Sequence, residues 1–326
     1  MSDGSDGLAR DTLIVTFAAR HTRTAAAAII ADALSVVGIR HSVEDRRWAP
    51  LTSDFALLTL RPVDTLQRTR ALDALRRHAA VALLSPERRY VRPPRDDAPP
   101  PPPPPTHANI TSRRLLHRGS GGGLGTAGAG HAHGTPSTPS RLHADALWRL
   151  GYRGGGVRVA VFDTGLSPSV SSLLPHVDEI TNWTDEADAS DTVGHGTFVA
   201  SVIGAAAATS DPAHAACMGL APDAKLHIYK VFNGKQQSYT SWFLDAFEHV
   251  LAHGSIDVLN LSIGGPDSSD APFMRKVDQV VASNVVLVSG IGNSGTQSPH
   301  ISINLPTSRP TSPHLAKPLQ GRCGAH

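Results

Sequence analysis

The chain has 326 residues, of which 40% are hydrophobic and 18% are charged, and its formal net charge at pH 7 is +2. The length allows one large domain or two ordinary ones, and this apolar fraction is sufficient for a packed core. The arginines are scattered or sit in short runs, so the charge does not indicate a nucleic-acid-binding protein.

The cysteine content and the first residues of the chain give evidence on the cellular compartment of the protein. Cys217 and Cys323 are the only cysteines, which excludes a disulfide framework and favours two isolated thiols over a single pair. No apolar run approaches the roughly 20 residues of a transmembrane helix. The chain begins with polar and acidic residues, unlike a secretory signal peptide. We therefore expect either a soluble cytosolic protein or a chain whose true N-terminus lies upstream.

Residues 12–92 form the first predicted unit. Short apolar strands alternate there with an alanine-rich helix and an amphipathic helix, in the order β-α-β-β-α-β. This order predicts a small ferredoxin-like α+β fold, which by itself says almost nothing about function. The predicted elements are strand 12–17, helix 23–37, strands 39–43 and 55–60, helix 65–78 and strand 80–84.

Residues 93–140 have the composition of a linker. The proline run 99–105 is extended, and the glycine-rich stretch 119–134 is flexible. A phosphate-binding loop is disfavoured because no strand precedes these glycines and no helix directly follows them. His131 and His133 lack Cys or carboxylate partners at ligand spacing, so we interpret them as solvated linker residues rather than metal ligands.

From residue 141 to 295 helices alternate with strongly apolar strands, which predicts a parallel sheet covered on both faces, the doubly wound α/β arrangement. Functional residues in such sheets gather beyond the carboxyl ends of the strands. Asp163, Gly264 and Asn293 all fall there. The predicted helix and strand pairs are 142–150 and 157–162, 196–206 and 226–232, 239–253 and 256–262, and 273–283 and 285–289.

Asp163 and His195 are the first candidate catalytic pair. An Asp at the end of a buried strand can orient a histidine and stabilise its imidazolium form. His195 lies between two glycines at the start of a small-residue helix, where backbone and substrate can approach closely. The alternative for Asp163 is a turn, or a phosphoryl-transfer site with Mg²⁺ bound by the nearby carboxylates Asp185, Glu186 and Asp188.

Two later segments could bind and polarise a substrate. The strand before Gly264 runs through Ser262 and Ile263 into a double glycine with Gly265, and such an edge can pair with an extended peptide. Asn293 follows another strand, and its amide could donate to a developing oxyanion. The alternative for both is an ordinary strand-to-loop turn.

The order of these elements resembles the subtilisin-like serine proteases (peptidase S8), and within them a subtilisin/kexin-type branch that cleaves membrane-anchored transcription factors. The resemblance is strong over residues 141–295, and it extends to residues 12–92 in pattern as an inhibitory prosegment. The segments that carry it are Val159-Ala-Val-Phe-Asp-Thr-Gly-Leu-Ser167, Thr181-Asn-Trp-Thr184, Gly194-His-Gly-Thr-Phe-Val-Ala200, Ala221-Pro-Asp-Ala-Lys-Leu-His-Ile228, Ser238-Tyr-Thr-Ser-Trp-Phe-Leu-Asp-Ala-Phe247 and Asp257-Val-Leu-Asn-Leu-Ser-Ile-Gly-Gly-Pro-Asp267.

The resemblance assigns roles to these residues. It implies Asp163 as the orienting acid, His195 as the general base, Asn293 as the oxyanion donor, and residues 262–265 as the substrate-binding strand. The family's nucleophile lies in a Gly-Thr-Ser motif, which this sequence does not contain. We expect the incomplete subtilisin-like domain to end near residue 295 and residues 296–326 to be a disordered tail foreign to the family. A truncated reading frame, intron read-through or a protease-dead isoform would produce such a chain.

The resemblance also implies partners, compartment and processing. Its substrates would be membrane-anchored precursor proteins cut after Arg-x-x-Leu-like sites in the ER or Golgi lumen, and its own prosegment would be a further partner. Arg113, Arg114, Leu115 and Leu116 have the form of such a site within the linker. The chemistry requires no cofactor, and a structural calcium ion with unknown ligands is compatible with the family. The alternative function is a protease-dead binding or inhibitory protein.

Overall fold

The computed structural model describes residues 8–46, 50–61, 64–92, 138–206, 218–262 and 270–290, which fold around two five-stranded sheets. The elements of the amino-terminal unit, the described residues up to 92, follow in chain order: β1 (Leu8–Thr22), α1 (Arg23–Ser35), β2 (His41–Val43), β3 (Thr52–Leu60), α2 (Thr65–Arg77) and β4 (Val81–Val91).

The amino-terminal unit has the predicted β-α-β-β-α-β order, and its antiparallel strands are arranged β2-β3-β1-β4, as in a ferredoxin-like fold. Both helices begin at side-chain caps: Thr22 accepts from the backbone of α1, and Asp64 forms a capping box with Gln67 at the start of α2. One face of the sheet packs on these helices through residues such as Val15 and Ile30.

The second part of the chain is built on a parallel sheet with the strand order β10-β9-β5-β7-β6. Its elements are α3 (Thr138–Arg141), α4 (Ala144–Arg149), β5 (Arg158–Asp163), a 3-10 helix (Pro168–Leu173), β6 (Val177–Asn182), α5 (His195–Gly204), β7 (Lys225–Lys230), β8 (Gln237–Tyr239), α6 (Thr240–His253), β9 (Val258–Leu261), α7 (Ala271–Ala282) and β10 (Val286–Ser289).

Helices cover both faces of the parallel sheet, as the alternation of strands and helices predicted. Val159 and Val161 of β5 face a core that includes Ala200 of α5. Ala160 and Phe162 point to the opposite face, where α6 and α7 contribute residues such as Phe243 and Phe273. The prediction of a doubly wound parallel sheet is therefore confirmed.

Two strands of the structure, β6 and β8, were not predicted from the sequence. β6 is an edge strand whose residues Val177–Asn182 alternate between partly buried and exposed positions, so it lacks the continuous apolar run that identified the central strands. β8 has only three residues. β4 was predicted to end at residue 84 but continues to Val91, because its last residues pair with a strand far away in the sequence.

That pairing joins the two parts of the molecule. Residues Arg89–Val91 of β4 pair antiparallel with β8, which makes β8 the fifth strand of the amino-terminal sheet. Leu244 of α6 packs on the other face of that sheet, against Ile14, Phe55 and Leu57. The amino-terminal sheet thus has its own helices on one face and a helix of the second part on the other.

Buried charged groups lie between the two parts. Lys276 of α7 is 3% exposed, and its Nζ is 2.6 Å from Asp54 Oδ1 and 3.1 Å from Glu248 Oε1. Glu248 also accepts a hydrogen bond from the Ser53 hydroxyl at 3.1 Å. Arg46 forms an ion pair with Asp245 of α6. Buried charges in proteins require such partners, so this network ties the amino-terminal unit to α6 and α7.

Candidate active site

Asp163 and His195 meet at the carboxyl end of β5. Asp163 is the last residue of that strand and is fully buried, whereas His195 is the first residue of α5. Nδ1 of His195 lies 2.8 Å from Oδ1 and 2.9 Å from Oδ2 of Asp163. The structure therefore brings together the two residues that the sequence reading paired, in the arrangement by which a carboxylate orients an imidazole.

The electrostatics keep Asp163 ionised. Burial opposes ionisation, but the hydrogen bond from His195, the charge of Arg92 and the bond from the Thr164 backbone N–H together hold the pKa of Asp163 below its ordinary value. An ionised Asp163 accepts a hydrogen bond from Nδ1–H of His195, which leaves Nε2 as the ring nitrogen that can accept a proton. The His195 side chain is 24% exposed, so the ring is partly accessible from the surface.

A second aspartate, Asp191, builds the start of α5. Its Oδ1 accepts hydrogen bonds from the backbone N–H groups of Val193 and Gly194 and from the Thr164 hydroxyl, all within 3.0 Å. Its Oδ2 accepts from the backbone and hydroxyl of Thr197. Asp191 thus satisfies the free N–H groups at the helix start and fixes His195. We did not identify it from sequence, although an aspartate shortly before a helix is a capping signal.

Two glycines allow the helix to approach β5 closely. Gly165 has a φ of +105°, and a Cβ there would collide with the carbonyl of Ala189. A Cβ at Gly196 would collide with the carbonyl of Gly165 and would lie 3.1 Å from the backbone N of Thr164. The sequence predicted that the glycines beside His195 permit close approach. For Gly196 the structure shows the backbone that approaches.

We expect Gly196→Ala to destabilise the protein by about 1–3 kcal/mol, because the added methyl group forces the start of α5 away from β5. The same displacement would lengthen the His195–Asp163 hydrogen bonds. Urea unfolding measures the loss of stability. Gly155→Ala is the control, since a Cβ at Gly155 has no atom within 4 Å. A Gly196→Ala protein as stable as this control would contradict the close-contact interpretation.

Arg92 enters the same site from the end of the amino-terminal unit. Its Nη1 is 3.2 Å from Asp163 Oδ1, and its Nη2 donates to the carbonyl oxygen of Ser262 at 2.7 Å. The guanidinium also lies 4.5 Å from the centre of the Phe232 ring. Arg92 therefore contacts both the candidate triad carboxylate and the predicted substrate-binding strand, and no sequence signal marked it.

The β4–β8 pairing continues directly into this contact. The backbone N–H of Arg92 donates to the carbonyl of Gln236 just before β8. Tyr90 sits 5.7 Å from the Phe243 ring and donates its hydroxyl hydrogen to Asp270 at 2.6 Å. β8 thus pairs through its backbone with the extended end of β4, and the Tyr90 side chain lies against Phe243 beside that pairing.

The remaining predicted site residues lie outside the described residues, except Ser262. These are Ile263, Gly264 and Gly265 of the predicted substrate strand, Asn293 as oxyanion donor, and the linker residues Arg113, Arg114, Leu115 and Leu116. Their roles remain predictions.

The carboxylates proposed for a magnesium site do not gather at Asp163. Glu186 accepts from the backbone of Gly234 and pairs with the buried Lys230, and Asp188 accepts from the backbone of Ser190. The phosphoryl-transfer alternative therefore gains no support.

The described residues contain one group of three potential metal ligands, formed by Glu179, His227 and His253. Calcium takes oxygen ligands, so two imidazoles do not suit it. The structural calcium ion that the resemblance allows therefore stays a prediction with unknown ligands. Within the part of the chain that the structure describes, no helix has the length and apolar character needed to cross a membrane.

Comparison with known proteins identifies the fold and the family. Residues 154–314 match the subtilase family, a range that extends past residue 295. Human membrane-bound transcription factor site-1 protease is 54% identical over 154 residues, which cover 47% of this chain and 14% of that protein. The Arabidopsis thaliana subtilisin-like protease SBT6.1 is 48% identical over 159 residues, covering 48% of this chain and 14% of that protein. Subtilisin DY of Bacillus licheniformis is 33% identical over 165 residues, covering 51% and 57%.

The chain thus spans a small fraction of the length of the first two relatives. Among solved structures, fervidolysin from Fervidobacterium pennivorans superposes with a TM-score of 0.53 at 18% identity, covering 92% of this chain and 42% of that one, which is a likeness of fold. The recognition made from the motifs around Asp163 and His195 is confirmed: this chain carries a peptidase S8 domain of the subtilase family.

Proposed function

We propose that the protein serves as a subtilisin-like serine endopeptidase in which His195 is the general base and Asp163 its orienting carboxylate. The observation that carries this proposal is the contact between Nδ1 of His195 and both oxygens of the buried Asp163, at 2.8 and 2.9 Å. Nδ1 donates to an ionised carboxylate, so the imidazole is held in the tautomer whose Nε2 accepts a proton.

In the proposed reaction a serine hydroxyl attacks the scissile carbonyl while Nε2 of His195 removes the hydroxyl proton. The carbon–nitrogen bond then breaks, and the imidazolium returns the proton to the leaving amine, which gives an acyl-enzyme. Water hydrolyses that ester by the same proton transfers. Asn293 is the proposed oxyanion donor, and such a donor contributes roughly 3–4 kcal/mol in comparable sites.

The sequence contains no Gly-Thr-Ser, the motif in which the family resemblance places the nucleophile. We therefore propose that the 326-residue chain assayed alone neither cleaves peptides nor reacts with a serine-directed phosphonate. The experiment compares it with an extended form in which a Gly-Thr-Ser-bearing segment of a subtilase relative follows Gly295, so that Asn293 is retained. Labelling of the extended form alone supports the proposal. Labelling of the 326-residue chain would refute the claim that it lacks a nucleophile. An extended form that folds but is not labelled would refute the proposed endopeptidase function.

The amino-terminal unit is proposed to inhibit this site in cis, as a prosegment of a zymogen. Three contacts support that role. Arg92 binds Asp163 and the carbonyl of Ser262, β4 pairs with β8, and the network around Lys276 holds the unit on α6 and α7. A substrate cannot pair with β8 or approach Asp163 while these contacts persist.

The proposed substrates are membrane-anchored precursor proteins that carry Arg-x-x-Leu-like sites in the ER or Golgi lumen. The support is the 54% identity to a relative whose name describes a site-1 protease of membrane-bound transcription factors. The linker that follows the prosegment, residues 93–140, carries a sequence of that form, Arg113-Arg-Leu-Leu116.

We expect the extended, active form to be cleaved after Leu116, so that the mature protein begins at His117. Arg113→Ala should slow this cleavage at least about tenfold, because the arginine side chain would lose its subsite contact. N-terminal sequencing and the time course of processing measure both effects. Arg118→Ala, beyond the cut, is the matched control. Processing of Arg113→Ala at the rate of this control, or a mature start before Arg113, would contradict the assignment.

Docking of the amino-terminal unit should depend on pH through Glu87. Its Oε1 accepts hydrogen bonds from the backbone and hydroxyl of Ser241 at the start of α6, at 3.0 and 2.8 Å. Burial nevertheless raises the pKa of Glu87 to about 7, against these hydrogen bonds and with a contribution from Asp270. Burial likewise raises the pKa of Asp245 to about 7, although Arg46 opposes the shift.

A carboxyl group whose pKa is raised on folding takes up a proton as the protein folds. Its contribution to stability is therefore lost as the pH rises from about 4.5 to about 7, by on the order of 3 kcal/mol for Glu87. We expect Glu87→Gln to reduce the difference in unfolding free energy between pH 5 and pH 8, measured by urea titration. Asp73→Asn, at a partly exposed carboxylate of α2, should leave the difference unchanged. An unchanged difference in Glu87→Gln would contradict this role.

A second candidate function is a non-catalytic binding or inhibitory protein. The occupation of the Asp163 site by Arg92, in a sequence without Gly-Thr-Ser, favours it. A transcript that stops after His326 would support this function, and a transcript that continues into a Gly-Thr-Ser helix would support the endopeptidase.

A further inference from the structure

A group of imidazole and carboxylate side chains lies at the opposite end of the parallel sheet from Asp163. Glu179 of the edge strand β6 is paired in register with His227 of β7, and His253 is the last residue of α6. One ligand atom from each of these three residues lies within 4.8 Å of the other two. His227 is three residues before Lys230, the register partner of Asp163, so the group is about 10 Å along the sheet from the candidate triad.

His227 and Glu179 meet through atoms that one metal ion could share. His227 is 3% exposed, and its Nδ1 lies 3.3 Å from Glu179 Oε2, close to the separation of two ligand atoms on a tetrahedral zinc ion. The other ring nitrogen of His227, Nε2, is buried without a hydrogen-bond partner. The His227 ring stands edge to face with that of His253, at 5.0 Å between centroids.

The neighbours of the group resemble the outer shell of a metal site. His249 Nε2 lies 3.0 Å from the other carboxylate oxygen of Glu179. The Ser255 hydroxyl lies 2.8 Å from Nδ1 of His253, which leaves Nε2 of His253 as the nitrogen available to a metal. Metal-ligating residues in proteins are held in this way by hydrogen bonds to their remaining polar atoms.

We propose that Glu179, His227 and His253 bind a Zn²⁺ ion, with His249 and Ser255 orienting the carboxylate and His253. Two imidazoles and a carboxylate are ligands that zinc accepts, whereas calcium and magnesium prefer oxygen alone. Tetrahedral zinc with bonds of about 2.0–2.1 Å separates its ligand atoms by about 3.4 Å. The three ligand atoms already lie within 4.8 Å of one another, so binding of the ion would draw them closer together.

The ion would connect the edge strand β6 to the end of α6 and so has a structural effect. It touches neither Asp163 nor His195, and its binding does not depend on peptidase activity. The zinc proposal can therefore be tested independently of the proposed peptidase function.

The experiment uses the whole 326-residue chain after removal of metals by a chelator. Zinc affinity is measured by competition with a chromophoric chelator, and Co²⁺ absorption reports tetrahedral coordination. We expect one zinc ion per chain at this site. His253→Ala and Glu179→Gln, which change side chains outside the core, should each weaken binding at least about 100-fold and abolish the Co²⁺ bands, while His249→Ala weakens it about tenfold.

The control is His143→Asn, at an exposed histidine with a φ of +56°, a conformation that asparagine tolerates. It should bind zinc as the unchanged chain does. Zinc should also raise the midpoint of thermal unfolding of the unchanged chain and of His143→Asn, but not that of His253→Ala. Equal affinity and equal Co²⁺ spectra in the unchanged chain and His253→Ala would overturn the proposal, as would preference for Ca²⁺ over Zn²⁺.

Discussion

Replacement of Asp163 by asparagine is expected to lower kcat by about 10⁴-fold in an extended form that carries the serine nucleophile. An asparagine amide donates where the carboxylate accepts, so it would favour the tautomer of His195 with the proton on Nε2. That nitrogen could then no longer take the serine proton. Because the substitution leaves the predicted substrate-binding strand, residues 262–265, unchanged, KM should change little, and the loss should appear in kcat and kcat/KM equally.

Steady-state kinetics on a peptide substrate measure this effect, and His195→Ala should match it. Asp145→Asn is the control, because Asp145 is a partly exposed residue of α4 whose carboxylate pairs with Arg149. Retention of most of kcat in Asp163→Asn would show that the contact with His195 is structural and that Asp163 does not orient a general base.

Lys276→Met is expected to destabilise the protein by about 3–5 kcal/mol, since it leaves the buried carboxylates of Asp54 and Glu248 without their shared cation. Lys276 holds the pKa of Asp54 below its ordinary value, against the opposing effect of burial. Without the lysine Asp54 can protonate at a higher pH. The destabilisation should therefore be smaller at pH 4 than at pH 7.

Urea unfolding at both pH values measures this change, with Arg275→Met as the matched control because Arg275 is the exposed neighbour on the same helix. Hydrogen exchange should show that β3, which carries Asp54, loses protection together with α7. A stability equal to that of Arg275→Met would mean that the network contributes little to the contact between the two parts.

The parallel sheet and the contact between Asp163 and His195 could be predicted because their signals are local. A buried strand that ends in Asp163, and a histidine between two glycines at position 195, can each be recognised within a few residues. The alternation of helices and strands then predicts that both lie at the carboxyl edge of the parallel sheet. Asp191 was not predicted, because an aspartate shortly before a helix is equally typical of a turn, and only its contacts with Thr164 and Thr197 show its role.

The contacts of Arg92 could not be predicted from sequence. They join residues far apart in the chain, and the end of β4 is polar and charged, so hydrophobic patterning ended the strand too early. The edge strand β6 was missed for the related reason that its exposed side interrupts the apolar pattern. Patterning finds buried elements, whereas docking between parts of a chain depends on individual polar partners such as Glu87 and Lys276.

Helix α6 runs from its contacts with the amino-terminal unit to the proposed zinc site. It spans 14 residues, or about 21 Å. Its first turn receives Glu87 at Ser241, its middle packs on the amino-terminal sheet through Leu244, and its last turn carries His249 and His253. If docking of the amino-terminal unit changes the affinity of the proposed site for zinc, zinc must change the affinity of docking by the same factor, because such coupling is reciprocal. Suppose that zinc binds more tightly when the amino-terminal unit is docked on the second part of the molecule than when it is released. The amino-terminal unit must then dock more tightly, by the same factor, when zinc is bound.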